Sequence, residues 1–290
     1  MMFVQKFLPA LFIFVFAGML SSCEMFNPAE QIPSYIHIDK IDLTTTSEQG
    51  SNSSKITDAW VYVDDQLVGA FELPATIPVL FNGNHTVVIK PGIKVDGIAA
   101  TRAVYPFYKP YSVSINLMPD SVTTINPTLT YNSYTVFEWK EAFEDGGISI
   151  AKTLFSDTTI SKTSETSEVF EGSYSGVVHL DAAHDFFQGL SLGSFILPTG
   201  DSPVFLEMNY RSDALIKVGL YANSFSQVQK LDILYINKSA TWNKIYINLN
   251  SAINRATNDP DDFQVYFEIQ KDADAATSET LIDNIKLVHN

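Results

Sequence analysis

The chain has 290 residues, enough for about two domains at roughly 150 residues each. Charged residues make up only 18% of it and hydrophobic ones 46%, so wholesale disorder is excluded. With 18 basic and 33 acidic residues the formal net charge is −15, which repels a phosphate backbone and excludes sequence-independent nucleic-acid binding; a single cysteine excludes an internal disulfide or a cysteine-based metal cluster.

Lys6 precedes an apolar run from Phe7 to Leu20, shorter than the roughly 20 residues a bilayer span requires, so residues 1–22 read as a signal peptide. Leu20-Ser21-Ser22-Cys23 resembles the lipobox of bacterial lipoproteins, Bacteroidota-like ones included, and the lone cysteine stands where that motif places it. The resemblance implies that Cys23 becomes an N-terminus carrying acyl chains such as palmitate, each buried CH₂ contributing about 0.8 kcal/mol of anchoring. Glu24 follows in place of the aspartate that retains lipoproteins in the inner membrane, so the expected home is the outer membrane of the cell envelope, with the leaflet left open. Residues 23–33, with Pro28 and Pro33 and no periodicity, form a lipidated tether.

From residue 34 the hydrophobic period is 2. Ala59 to Val63 alternates, Asp64-Asp65-Gln66 supplies a turn, and Leu67 to Leu73 returns; His85 to Ile89, Tyr111 to Leu117 and Val122 to Leu129 add strands. Short strands between Gly, Pro, Asn and Asp clusters predict a β-sandwich over 34–131. Val61-Tyr62-Val63-Asp64-Asp65, Gly69, Pro74 and Gly83 with His85 to Ile89 resemble PEGA-type and carboxypeptidase-regulatory-like domains, which implies a presenting or docking module without catalysis. Within this half, Tyr105-Pro106-Phe107-Tyr108-Lys109-Pro110-Tyr111 concentrates aromatics that either stack on a ligand or plug a seam between domains.

Residues 134–290 repeat the strand grammar with longer alternation. Val204, Leu206 and Met208 oppose Phe205, Glu207 and Asn209; Ile216, Val218 and Leu220 oppose Lys217 and Tyr221; Phe263, Val265, Phe267 and Ile269 oppose Gln264, Tyr266, Glu268 and Gln270. One core face and one wet face predict antiparallel sheets, and eight or so strands predict a jelly roll, making the chain all-β with two sandwiches. Phe143-Glu144-Asp145-Gly146, Glu171-Gly172-Ser173-Tyr174-Ser175, Trp242 to Leu249 and Ile282-Asp283-Asn284-Ile285 follow the order found in galactose-binding-like jelly rolls of carbohydrate-binding modules. That resemblance implies non-catalytic glycan or protein binding. On the polar phase, Asn209, Arg211, Tyr221, Tyr246 and Tyr266 are the candidate ligand contacts. The same resemblance implies a structural Ca²⁺ held by Glu144 and Asp283, the alternative being that Asp283, read as pointing inward with Leu281, Ile285 and Leu287, accepts backbone N–H bonds.

Other chemical motifs are weaker. Gly189-Leu190-Ser191-Leu192-Gly193 has the spacing of a nucleophile elbow, yet the following Ser194 to Pro198 is extended rather than helical, and the one later histidine is His289 near the chain end. His179-Leu180-Asp181 with His184-Asp185 lacks a zinc spacing, Glu138, Glu141 and Glu144 crowd one segment, and Asp259-Pro260-Asp261-Asp262 lacks the glycine and glutamate of an EF-hand loop. The expectation is an anchored envelope lipoprotein that binds glycan or an envelope protein without being an enzyme; a structural adaptor of an outer-membrane complex comes second and a hydrolase third.

Overall fold

The computed structural model describes residues 30–290, and the expectations for the leader, for Cys23 and for the start of the tether lie outside the described residues. The first part supplies ten strands: β1 (Ser34–Ile38), β2 (Asp42–Leu43), β3 (Asp58–Val63), β4 (Gln66–Glu72), β5 (Ala75–Val79), β6 (Gly83–Lys94), β7 (Arg102–Val104), β8 (Tyr111–Leu117), β9 (Val122–Thr124) and β10 (Thr128–Leu129). They pair as β4-β3-β6-β7 with β8 also on β6, as β5-β1-β9, and as β10-β2. Alternation decides the faces: Ile36 and Ile38, Val61 and Val63, and Val87 and Ile89 are buried between the sheets, each burial stabilising by about 1.5–3 kcal/mol, while Tyr35, Tyr62 and Val88 alternate outward. Asp64 and Asp65 turn the β3–β4 hairpin with φ of 46° and 63°, a conformation aspartate tolerates, and the Asp64 carboxylate accepts the Thr86 amide at 2.9 Å and bonds the His85 ring at 2.6 Å.

The second part supplies β11 (Val136–Glu141), β12 (Ile150–Lys152), β13 (Ser161–Thr163), β14 (Ser175–Leu180), β15 (Phe186–Ser191), β16 (Val204–Ser212), β17 (Ile216–Asn223), β18 (Val228–Ile236), β19 (Ser239–Asn248), β20 (Asp262–Gln270) and β21 (Ser278–His289), with one short helix, α1 (Asn250–Arg255). The chain passes back and forth between a six-stranded sheet, β13-β14-β21-β16-β19 with β11 on β21, and a five-stranded sheet, β12-β15-β20-β17-β18. All pairs are antiparallel, and the result is the expected jelly-roll sandwich. Leu206 and Met208, Val218 and Leu220, and Val265 and Phe267 meet in its core, in the phase their alternation predicts.

Two expectations need correction. The second face of the six-stranded sheet is not wet. Tyr105, Phe107 and Tyr108 pack on it edge-on or tilted, with ring centroids 5.4 Å from Phe205 and 4.8 Å from Tyr246 for Tyr105, so the aromatic loop fills the seam. Beneath those rings Glu207, fully buried, accepts the hydroxyls of Tyr105 at 2.6 Å and Tyr131 at 2.8 Å and pairs with Lys244 at 2.9 Å. Burial alone pushes the Glu207 carboxyl up, but Lys244, Lys286 and the Tyr105 hydroxyl hold it below the ordinary glutamate value. Phase in β21 also differs from the reading. Asn284 takes φ 49°, the register against β16 shifts by one between Glu207 and Asn209, and Ile282, Ile285 and Leu287 face the core. Asp283 therefore points to the opposite face, where it pairs in register with Asn209.

β6 is the spine of the first sandwich, about 40 Å long at 3.3 Å per residue. Gly83 at its start pairs with Leu117, and just past its end Val95 bridges Tyr246 on β19 while Asp96 donates its amide to the Tyr246 carbonyl at 2.8 Å and accepts the Asn248 amide at 2.9 Å. The first domain thus caps the free edge of β19, which otherwise offers unpaired backbone groups to any strand it meets.

Candidate functional site: the open face of the five-stranded sheet

Of the two outer faces of the second sandwich, the first domain covers one, and the five-stranded sheet presents the other. Strand register lines its outward side chains into three rungs. Gln188, Glu268, Lys217 and Tyr235 form one; Leu190, Tyr266, Gly219 and Asp232 the next; Gln264, Tyr221 and Lys230 the third.

Ion pairs and rings tie the rungs together. Lys217 reaches Glu268 at 3.0 Å and Asp232 at 3.3 Å and lies 5.1 Å from the Tyr235 ring centroid. Lys230 pairs with Glu268 and lies 4.9 Å from the Tyr266 centroid. Tyr266 donates its hydroxyl to Asp232, and its ring occupies the space beside Gly219, where a Cβ would collide with it and with the Leu231 carbonyl. Tyr221 tilts against Tyr266 with centroids 5.2 Å apart. Charges here are matched. The Tyr235 hydroxyl and then the two carboxylates hold Lys217 well above the ordinary lysine value; the Tyr266 hydroxyl draws Asp232 down; Glu268, despite burial, is held down by Lys230 and Lys217. Burial keeps the Tyr266 hydroxyl protonated far above its usual range. At one end of the face a cleft of about 390 Å³ opens between Phe186, Leu215, Tyr235, Gln270 and Asp272.

The five residues expected to contact ligand do not share a face. Tyr221, half-buried, and Tyr266, fully buried beneath Lys230, belong to the open face. Tyr246 lies on the six-stranded sheet under the first domain, where its hydroxyl bonds that of Tyr108 at 3.1 Å and accepts the Lys55 amide at 2.9 Å, and Asn209, on the same sheet, is 2% exposed. Arg211, on that same sheet, holds the Ser167 carbonyl at 2.6 Å and Glu279 at 3.2 Å. In β16, β17, β19 and β20 periodicity identifies the polar phase correctly, but it carries no signal for which polar face another domain covers. Lys217, Gln264 and Glu268 stood on the right phase and were passed over; Lys230, Asp232 and Tyr235 sit on β18, whose bulge opposite Val218 and Gly219 breaks the alternation that identifies a strand.

Glu144 and Asp283 approach the 171–175 turn separately. Glu144 accepts the amides of Ser173 at 2.8 Å and Tyr174 at 2.9 Å, and its carboxylate fills the space beside Gly172, whose φ is 74°. Asp283 accepts the Ser175 hydroxyl at 2.6 Å and the Asn284 amide at 2.7 Å. Both accept N–H or O–H donors, and among the described residues no three acidic, histidine or cysteine side chains gather as a metal-ligand set. Ser191 is buried, donating to the Gly193 carbonyl at 2.8 Å and accepting the Val265 amide at 3.1 Å, which leaves it no nucleophile's geometry. His184 bonds Asp181 at 3.2 Å in an exposed turn.

No protein-family model matches the chain, and no curated protein matches it. Among solved structures, a xylan-binding domain of carbohydrate-binding module family 22 aligns at 14% identity and TM-score 0.37 over 53% of this chain and 94% of its own. One from a study of promiscuous specificity in carbohydrate-binding modules of the β-sandwich superfamily aligns at 14% and 0.40 over 90% and 99%, and the family 11 module of a Clostridium thermocellum cellulosomal cellulase at 13% and 0.34 over 52% and 95%. Likenesses this distant carry nothing about a ligand.

Proposed function

We propose that this protein is a lipid-anchored envelope protein that binds glycan, without catalysis, on the open face of its five-stranded sheet. The observation that carries the reading is the contrast between the two outer faces of the second sandwich: one is sealed by another domain, and the other offers tyrosine rings beside a matched set of hydrogen-bonding Lys, Asp, Glu and Gln groups. Sugar rings present an apolar face to stack on and hydroxyls that take such donors and acceptors. The carboxylates of this face, Asp232 and Glu268, are both held in the ionised form, whereas a glycosidase needs one carboxylic acid kept protonated.

The anchor rests on the sequence around Cys23. Cys23→Ser is expected to move the protein from the membrane to the soluble envelope fraction; retention through salt and carbonate washing overturns the anchor. The ligand face is tested by electrophoresis through gels cast with a panel of soluble plant and bacterial polysaccharides. Retardation by at least one of them, lost in Tyr221→Ala and in Lys230→Ala variants whose melting is unchanged, is expected. Retardation that both variants retain overturns the assignment of the face.

A further inference from the structure

The far tip of the first sandwich carries an apolar rim. Ile32, Leu80, Met118 and Val122 are each 53–64% exposed. Strand register brings them together: Ser34 pairs with Val79, Tyr35 with Val122, the Ser34 hydroxyl donates to the Phe81 carbonyl at 2.8 Å, the Asp120 amide to the Pro33 carbonyl at 2.9 Å, and the Ser121 amide to the Met118 carbonyl at 3.2 Å. A rim of adjacent exposed apolar side chains on an acidic protein marks a surface that meets something.

Three observations name the partner. The described chain begins at this tip, and Cys23 stands nine residues before Ile32, a separation that spans at most about 30 Å. The second domain sits at the opposite end of β6, about 40 Å away, farther than that nine-residue separation spans. The segments that build the rim, residues 30–36, 78–84 and 116–124, contain Glu30 and Asp120 but no lysine or arginine, a chemistry suited to an uncharged lipid surface and unsuited to anionic headgroups.

We propose that this rim rests in the interfacial region of the membrane and stands the first sandwich upright, holding the second domain away from the lipid. The proposal rests on lipidation of Cys23. The test uses the full lipidated chain in phosphatidylcholine vesicles containing spin-labelled lipid, with a polarity-sensitive fluorophore at Leu80→Cys, at Met118→Cys or, as a distant control, at Phe225→Cys on the fully exposed β17–β18 turn; Cys23 is consumed by its acyl chains. Labels at 80 and 118 are expected to shift blue and to be quenched several-fold more than the label at 225, equally at low and high salt. Equal quenching at all three sites overturns the proposal while leaving the anchor intact. A blue shift at 80 that grows with protein concentration in the absence of vesicles overturns it in favour of contact between two copies. An N-terminal peptide without acyl mass overturns the anchor itself, and the proposal with it.

Discussion

Asp283 is 1% exposed, and burial pushes its carboxyl up to about 7, against hydrogen bonds from Ser175 and Asn284 that draw it down. Between about pH 4 and pH 7 the unfolded chain has released this proton and the folded chain keeps it, so the stability this group contributes is complete below about pH 4 and is lost as pH rises through 7. The melting midpoint of Asp283→Asn is therefore expected to fall less steeply over that window than that of the wild type. A parallel profile would assign the slope to other groups. Calcium bears on the same residue, because an ion binds only the ionised carboxylate and raises the midpoint as its concentration exceeds the dissociation constant. Melts of the full chain in EDTA and in millimolar CaCl₂ are expected to superimpose, since the oxygens of Asp283 and Glu144 already face separate donors; a calcium-dependent rise lost in Asp283→Asn with Glu144→Gln would restore the site read from the sequence.

Among elements, β19 shows how the domains protect one another. It lies at the edge of the six-stranded sheet, and the turn after β6 supplies its missing partner through Asp96. Asp96→Ala removes the acceptor of the Asn248 amide, which is expected to cost about 1 kcal/mol and to speed hydrogen exchange at Asn248 ahead of its neighbours on β16; unchanged exchange there would mean the edge is held by other means. The same elements mark how far the sequence was legible. Strict alternation in β16, β17 and β20 gave their core phases correctly, because one face of each is apolar regardless of what covers the other. In β21 the left-handed Asn284 inserts a bulge that no period-2 count anticipates, so Asp283 was placed on the wrong side. Glu207 and Tyr246 read as surface residues because polar groups satisfied across a domain seam have the same sequence pattern as polar groups in water. Only the cluster of aromatics at Tyr105 to Tyr111 signalled that a seam was there to fill.

At the scale of the whole molecule, the two sandwiches share a buried interface rather than a linker. The Asn132 amide donates to the Phe107 carbonyl at 2.7 Å and its side chain to that of Pro106 at 2.9 Å, which ties the start of the 131–135 junction to the aromatic loop. Residues 134–290 expressed alone would leave Phe205, Tyr246 and Val288 uncovered and the Glu207–Lys244 pair without its tyrosine donors. The full chain is expected to melt in one transition, and the 134–290 fragment to melt lower and to bind a hydrophobic dye; a fragment as stable as the whole would show that the seam contributes little. The second sandwich carries one open face, and we propose that ligand binds there. The decisive experiment is a glycan array probed with the wild type and with Tyr221→Ala combined with Tyr235→Ala. A defined group of glycans bound by the wild type and lost in the double variant, with melting unchanged, is expected. No glycan bound by the wild type, or the same glycans bound equally by both proteins, would contradict it.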